Sequence, residues 1–481
     1  MKKLFSNKII VYLSSGYFSY FVQFIISLVI ASKLGPYYFG IYGFITLILN
    51  YCSVLSFGIP SSLNVLVVHN KNDLKSCGNY ICNSLWLYGI LSFLLLIATL
   101  FIWFSKIEIS INYPIREYLP IVLLIAIANY INSIYNTILR IRGKVNQLSL
   151  IQVLGVIFNI IAILSVKGKV LIIALLICLL LNGIATIIIT YKSDVLPKVK
   201  DVSINLTIQL EILKKGILLF LYNSCFSFIL ISIRSLVSSN YQVEEFGAFT
   251  FSFSVANSVI LLLESLMAIL FPKILDLLSS DDNTVIESTL DKLRGTYISS
   301  SHFLIYLAMI FYPLLILFMP KYSNALTSMN LIALAVLMNT NSCGYSALLI
   351  AKNKEKTSAY LSMIALVVNV FLGIIMIYVF HVQFSYVILA TLITYLIFSF
   401  LVVREGKKTL GVNNIKSIIY DFFPIRFLIP YSAALIISCF QYESIIWMPL
   451  VLYIIFNTND IKMIYKMAYK MINNPNIIDL K

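Results

Sequence analysis

Two formal charges, Arg234 and Glu264, lie inside long apolar runs of this sequence. A charge at membrane depth must face protein or water, so each marks a functional position until shown otherwise. Arg234 either extends to lipid headgroups or offers a fixed cation to an anionic group in a cavity. Glu264 either bonds to a neighbouring helix or serves as a proton or cation site for ion coupling. Asn129, Asn132, Asn136 and Arg140 recur at helical spacing within about 80° of arc. That stripe would line a cavity and replace the hydration of an anionic cargo. Gln23, Asn50 and Asn223 extend the candidate binding set, each on a helix face shared with serines or threonines. The Ser and Thr stripes also fit plain interhelical hydrogen bonding, worth about 0.6 kcal/mol each. Arg142, Lys144, Lys214 and Lys215 flank helix ends, where they orient the chain or recruit anionic headgroups.

Nothing points to covalent chemistry. His69, His302 and His381 have no metal-ligand spacing, and no paired-carboxylate or Ser–His–Asp arrangement occurs. The phosphate-cradling G-x-x-x-x-G-K-[ST] pattern is absent. The reading is therefore a non-enzyme without a cofactor or a metal. The seven cysteines lie mostly in apolar runs and read as small buried side chains.

The elements that hold these residues follow from composition. Of 481 residues, 60% are hydrophobic and 11% charged, against roughly 45–50% and 25% in a soluble domain. Mean hydropathy is +0.94. Soluble enzymes, secreted disulfide scaffolds and disordered chains are excluded. A spanning helix needs roughly 20 apolar residues, and runs of that length fall near 9–32, 37–60, 79–104, 118–139, 147–166, 170–190, 213–238, 246–270, 297–319, 328–350, 358–380, 382–402, 422–440 and 442–458. The expectation is an all-α polytopic membrane protein of about fourteen helices, with twelve as the alternative. Of 35 Lys and Arg, 28 fall on one side of this layout and 6 on the other. Positive loops stay cytoplasmic, so both termini are expected inside. The net charge of +15 is thus spread through loops, and nucleic acid is not an expected partner.

Internal repeats organise the runs. Phe39-Gly40 and Phe246-Gly247 are 207 residues apart, Lys144 and Lys354 are 210, Asn159 and Asn369 are 210, and Pro60 and Pro272 are 212. Two parallel six-helix copies around a central cavity would account for this. The domains expected are 1–200 and 201–405, with 406–481 supplying two further helices and a tail.

The passage Ala31-Ser-Lys-Leu-Gly-Pro-Tyr-Tyr-Phe-Gly-Ile-Tyr-Gly-Phe44 with Phe57-Gly-Ile-Pro60 resembles the start of Wzx-type polysaccharide flippases. Arg140-Ile-Arg-Gly-Lys144, Ile233-Arg234, Phe246-Gly-Ala-Phe249 and Phe271-Pro272 extend the likeness. These flippases belong to a superfamily that includes MATE exporters and the lipid II flippase. The resemblance implies transfer of undecaprenyl-diphosphate-linked oligosaccharide from the cytoplasmic to the periplasmic leaflet, through a cationic cavity, for O-antigen or capsule synthesis. It implies a bacterial inner membrane, lipid partners, and a polysaccharide polymerase and chain-length regulator downstream. The chain departs from the pattern at Ile233, where the family often has an acid. It also lacks an acid in the first helix, unlike many drug exporters. A MATE-like cation-coupled exporter is the main alternative. A membrane glycosyltransferase or polymerase fits less well, because the expected outer loops are short.

Overall fold

The computed structural model describes residues 8–69, 73–105, 112–193, 195–196, 203–462 and 466. Within these it gives no side-chain account of 8–21, 68, 69, 74, 145, 218, 219, 222, 223 and 260–273. Among the described residues every regular element is helical. Among the described residues eight helices are long and apolar enough to cross a membrane, or up to ten if each of two bent pairs counts as one span. The protein is a multi-pass, all-helical membrane protein.

The chain divides into two units. One comprises Phe21–Ser227 and Tyr241–Gly247. From Phe21 it takes in the rest of α1 (Lys8–Val54), a helix that absorbs the first apolar run and most of the second. What reads in sequence as a loop between two spans is a kink at Gly35, with φ 69° and ψ 170°. Glycine adopts that left-handed φ without a Cβ penalty, and Pro36 then fits the first turn of the continuing helix. A second break follows at Phe57 and Gly58, both at positive φ, and α2 (Ile59–His69) begins there. Asp73 caps α3 (Leu74–Ser105) by accepting from the amides of Lys75 and Ser76 at 3.0 and 3.1 Å. α4 (Leu119–Ile141), α5 (Val145–Ser165) and α6 (Lys169–Lys192) complete this bundle. Its interior joins Ile59, Leu63, Leu66, Ile134 and Ile138 around Tyr88 stacked on Tyr130, ring centroids 4.8 Å apart. The Tyr130 hydroxyl donates to the Cys52 carbonyl at 2.8 Å, which satisfies a polar tip in an apolar layer. Only 6% of the most apolar stretch of α3 is buried. Its outward face, with Phe93, Phe101 and Phe104 exposed, suits lipid.

α7 (Leu206–Asn240) passes from this unit into the other. That second unit comprises Met1–Tyr20, Phe228–Asn240 and Ala248–Lys481. It holds most of α8 (Val243–Leu278), then α9 (Asn283–Phe318), α10 (Leu326–Thr340), α11 (Tyr345–Ala351), α12 (Glu355–Tyr378) and α13 (Leu389–Thr409). After these come α14 (Ile415–Phe422), α15 (Ile425–Cys439) and α16 (Met448–Phe456). α10 is buried along nearly its whole length and forms the unit's centre. The α10–α11 and α14–α15 pairs bend by 42° and 54°. Several helices start earlier or run longer than their apolar runs, because the added turns are polar and hydropathy does not register them.

Candidate functional site

The unit with α4 contains most of the expected binding residues. Gln23, Asn50 and Asn129 are exposed, and Asn132 and Asn136 are half-buried. Asn132 lies against Gly183 of α6, and its Oδ1 is buried with no hydrogen-bond partner among the described residues. Arg140 is exposed and its Nε donates back to the Asn136 carbonyl at 3.3 Å. The helix then closes on Gly143 at φ 65°, with the Lys144 amide donating to Leu139 and that of Gly143 to Arg140. This closure presents Arg142 on the wall of a cavity of about 340 Å³, lined also by Val67, Cys77, Ile141 and Gly143. Neither Arg140 nor Arg142 forms an ion pair among the described residues.

Lys214 is exposed on α7, and Lys215 pairs with Glu211 at 3.7 Å. The start of α7 is fastened to α3 by side chains. The Ser203 amide donates to Asn79 Oδ1 and the Asn205 amide to Asn83 Oδ1, each at 2.9 Å. Asn83 Nδ2 returns a bond to the Ser203 carbonyl, and Tyr80 donates to Glu211 at 3.1 Å. The side chain of Asn223 lies outside the described residues.

Arg234 belongs to the other unit. It is 6% exposed, with its guanidinium carbon 5.3 Å from the Phe253 ring centroid. A desolvated guanidinium over an aromatic face keeps its charge while the ring offsets part of the lost hydration. Asn369 of α12 is buried and fully engaged. Its Nδ2 donates to the Ile229 carbonyl at 2.8 Å and to Ser232 Oγ at 3.0 Å, while Thr391 donates to its Oδ1 at 2.9 Å. Here a polar residue in an apolar run joins α7, α12 and α13. Glu264 lies on α8, its side chain outside those described.

Sequence reasoning overlooked two cations. Arg294, counted as a loop charge, sits inside α9 and is 8% exposed. It donates to the carbonyls of Asn341 and Cys343 at 2.7 and 2.8 Å and to that of Asp421 at 2.5 Å, with Tyr345 beneath it at 4.9 Å. The Asn341 and Cys343 carbonyls lie at the α10–α11 bend and that of Asp421 in the last turn of α14, and a planar five-donor head suits all three. Asp421 in turn pairs with Lys407 and accepts from Tyr345 at 2.8 Å. Lys33, in the motif before the kink, donates to the Ile163 carbonyl near the end of α5. A signal for Arg294 was present: the stretch from Asn283 carries a helix-capping Asp282 and no breaker before Gly295.

Among the described residues no group of three or more His, Cys, Asp or Glu could hold a metal ion. The geometry offers cations and amides in both units.

No protein-family model matches the chain, and no curated protein does. Solved structures do. A multidrug-resistance MATE family transporter of the MOP superfamily, in an inward-facing conformation, aligns with TM-score 0.65 at 17% identity. That alignment covers 82% of this chain and 94% of the transporter. The lipid II flippase MurJ, in an inward closed conformation, aligns with TM-score 0.66 at 15% identity, over 96% of this chain and all of MurJ. The fold is that of the MATE and MurJ transporters. An outward-facing MATE transporter gives TM-score 0.58 at 17% identity over 83% of the chain. These neighbours are transporters and a flippase rather than enzymes.

Proposed function

We propose that this chain is a flippase for undecaprenyl-diphosphate-linked oligosaccharide units, moving them from the cytoplasmic to the periplasmic leaflet by alternating access. The observation that carries this reading is Arg234, a cation held inside the apolar body of a transporter fold. A diphosphate cannot cross hydrocarbon unaided, because burial without partners is prohibitive. A guanidinium provides bidentate donors to phosphate oxygens, and Asn129, Asn132, Asn136 and Asn50 supply amides for sugar hydroxyls. Arg140, Arg142, Lys144, Lys214 and Lys215 would gather the anionic headgroup at the cytoplasmic face. Moving negative charge out of a cell negative inside is favourable by about 2.3 kcal/mol per charge per 100 mV, so no nucleotide site is needed. Glu264 would couple a proton or cation. The membrane would be a bacterial inner membrane with both termini cytoplasmic, and the product would pass to a polymerase and chain-length regulator for O-antigen or capsule.

In cells relying on this protein, Arg234→Ala should make lipid-linked units accumulate on the inner leaflet and cut surface polysaccharide at least tenfold. Arg234→Lys should rescue only in part, since a point charge lacks the planar fork. Undiminished surface polysaccharide in the alanine variant would remove the assignment. A MATE-like exporter remains the second reading, supported by the equal fold likeness and by Glu264. That reading requires deletion of the protein to raise drug sensitivity while surface polysaccharide stays intact.

A further inference from the structure

The end of α13 and the whole of α14, both in the second unit, carry side chains that the binding residues above leave unexplained. Ile418 and Phe422 of α14 are buried, with Phe422 edge-on to Phe400 at 5.6 Å. Away from them, Ile415, Ile419 and Tyr420 are 68%, 53% and 68% exposed. Exposed Lys416 falls among these three, within about 140° of arc. Two isoleucines, a tyrosine and a lysine on one face suit a bilayer surface, where apolar stems meet acyl chains and polar tips meet headgroups. Asp421 fixes which face turns out. Its carbonyl accepts from Arg294, and its carboxylate accepts from Tyr345 at 2.8 Å and pairs with Lys407.

Lengths put α14 at headgroup level. α15 has 15 residues, about 22 Å, and falls short of a hydrocarbon core of about 30 Å. α14 turns away from it by 54°, so its eight residues advance only about 7 Å along the direction of α15. The bent pair together spans the core, and α14 leaves it obliquely with Asn413, Asn414 and Lys416 foremost. Charge is in surplus there. Over residues 404–421, Arg404, Lys407, Lys408 and Lys416 accompany only Glu405 and Asp421. Lys407 is taken by Asp421, and Lys408 stays exposed 4.0 Å from Glu405. The side chains of Arg404 and Lys416 are exposed, with no hydrogen bond or ion pair among the described residues. Their neighbours differ: Lys352 donates to the Ser280 carbonyl at 2.7 Å and Lys354 to Thr409 Oγ1 at 3.0 Å.

We propose that α14 and the end of α13 form a docking site for anionic phospholipid of the bilayer. Ile415, Ile419 and Tyr420 lie among the first acyl carbons, and Arg404, Lys408 and Lys416 meet the headgroup phosphates. The site needs a membrane but no particular cargo, so it goes beyond the transport reading and does not depend on it. Each cation so placed favours an anionic over a zwitterionic surface about fivefold.

The test reads amide exchange of the full chain in nanodiscs of phosphatidylcholine, with and without phosphatidylglycerol. Exchange in 413–423 should be at least tenfold slower with the anionic lipid, while α10 is unchanged. Arg404→Gln, Lys408→Gln and Lys416→Gln together should cut that difference to about twofold or less. Lys408→Arg with Lys416→Arg should retain it, because charge is kept. A merely structural role would not make exchange follow lipid charge. In Tyr420→Trp, phosphatidylglycerol brominated high on its acyl chains should quench the added fluorescence. Equal exchange of the wild type in the two lipids overturns the proposal, and that comparison decides even if a variant fails to fold. The full lipid difference persisting in the triple glutamine variant also overturns it, as does added fluorescence that escapes the brominated lipid. If soluble glycerol phosphate protects 413–423 as well as the lipid does, the face takes a free anion and the lipid site is wrong. If protection instead requires two copies of the chain in one disc, the face is a contact between copies and the lipid site is again wrong.

Discussion

Asn369 and Arg294 show how differently single residues reveal themselves. Asn369 stood out by its repeat offset and by being an amide in an apolar run. Its three bonds to Ile229, Ser232 and Thr391 explain why it is tolerated there. Replacing it by Ala removes all three, at about 0.6 kcal/mol each, or about 2 kcal/mol together. Thermal unfolding in detergent should register that loss, and Asn369→Asp should not restore it, because a carboxylate cannot donate from the amide position. Arg294 looked like an ordinary cytoplasmic charge. Residue type and spacing place Arg294 on a helix, but they do not distinguish an arginine facing water from one that collects two carbonyls of the α10–α11 bend and one of α14, because those carbonyls come from distant parts of the chain. Arg234 was legible from its isolation alone. Its resting place over Phe253 was not, since that pairing joins α7 to α8.

At the level of elements, hydropathy located nearly every helix but misjudged where several begin. The Gly35-Pro36 pair reads as a loop and is a kink within α1. Apolar content cannot tell a break in direction from a break in the helix. The reverse occurs at α9, whose first three turns are polar. Its start is marked by Asp282, whose Oδ1 accepts from the Thr284 amide at 2.9 Å and hydroxyl at 2.7 Å. These bonds hold the carboxyl below its usual pKa. A depressed folded pKa means the cap stabilises at pH values above the ordinary carboxylate range near 4 and is lost as pH falls through the folded value. Asp282→Ala should therefore lower the melting temperature at pH 7, and the difference from wild type should vanish on acidification past the depressed folded pKa. Melting curves across that range would check it; a difference independent of pH would assign the effect to helix propensity rather than to the charge.

For the whole molecule, membrane character and helical class were readable because composition is a global property, and the transporter fold through the motifs that resemble the flippases. The particular cargo is a different kind of property. It depends on which amides and cations meet one ligand, and a distance between residues far apart in sequence is not written in either of them. One arrangement bears on assembly. The residues that lead into α7 and its first turns are stitched to α3 by Asn79, Asn83 and Tyr80, so the segment after residue 202 is held to the preceding helices by side chains as well as by the chain itself. Covalent continuity at residue 200 should be dispensable. Two polypeptides, 1–200 and 201–481, made in the same cell should find each other and copurify, and exchanging Asn79 and Asn83 for Ala should abolish that recovery while the uncut protein still accumulates. A helix start pinned in this way would let the chain be opened ahead of it without losing the bundle it docks on.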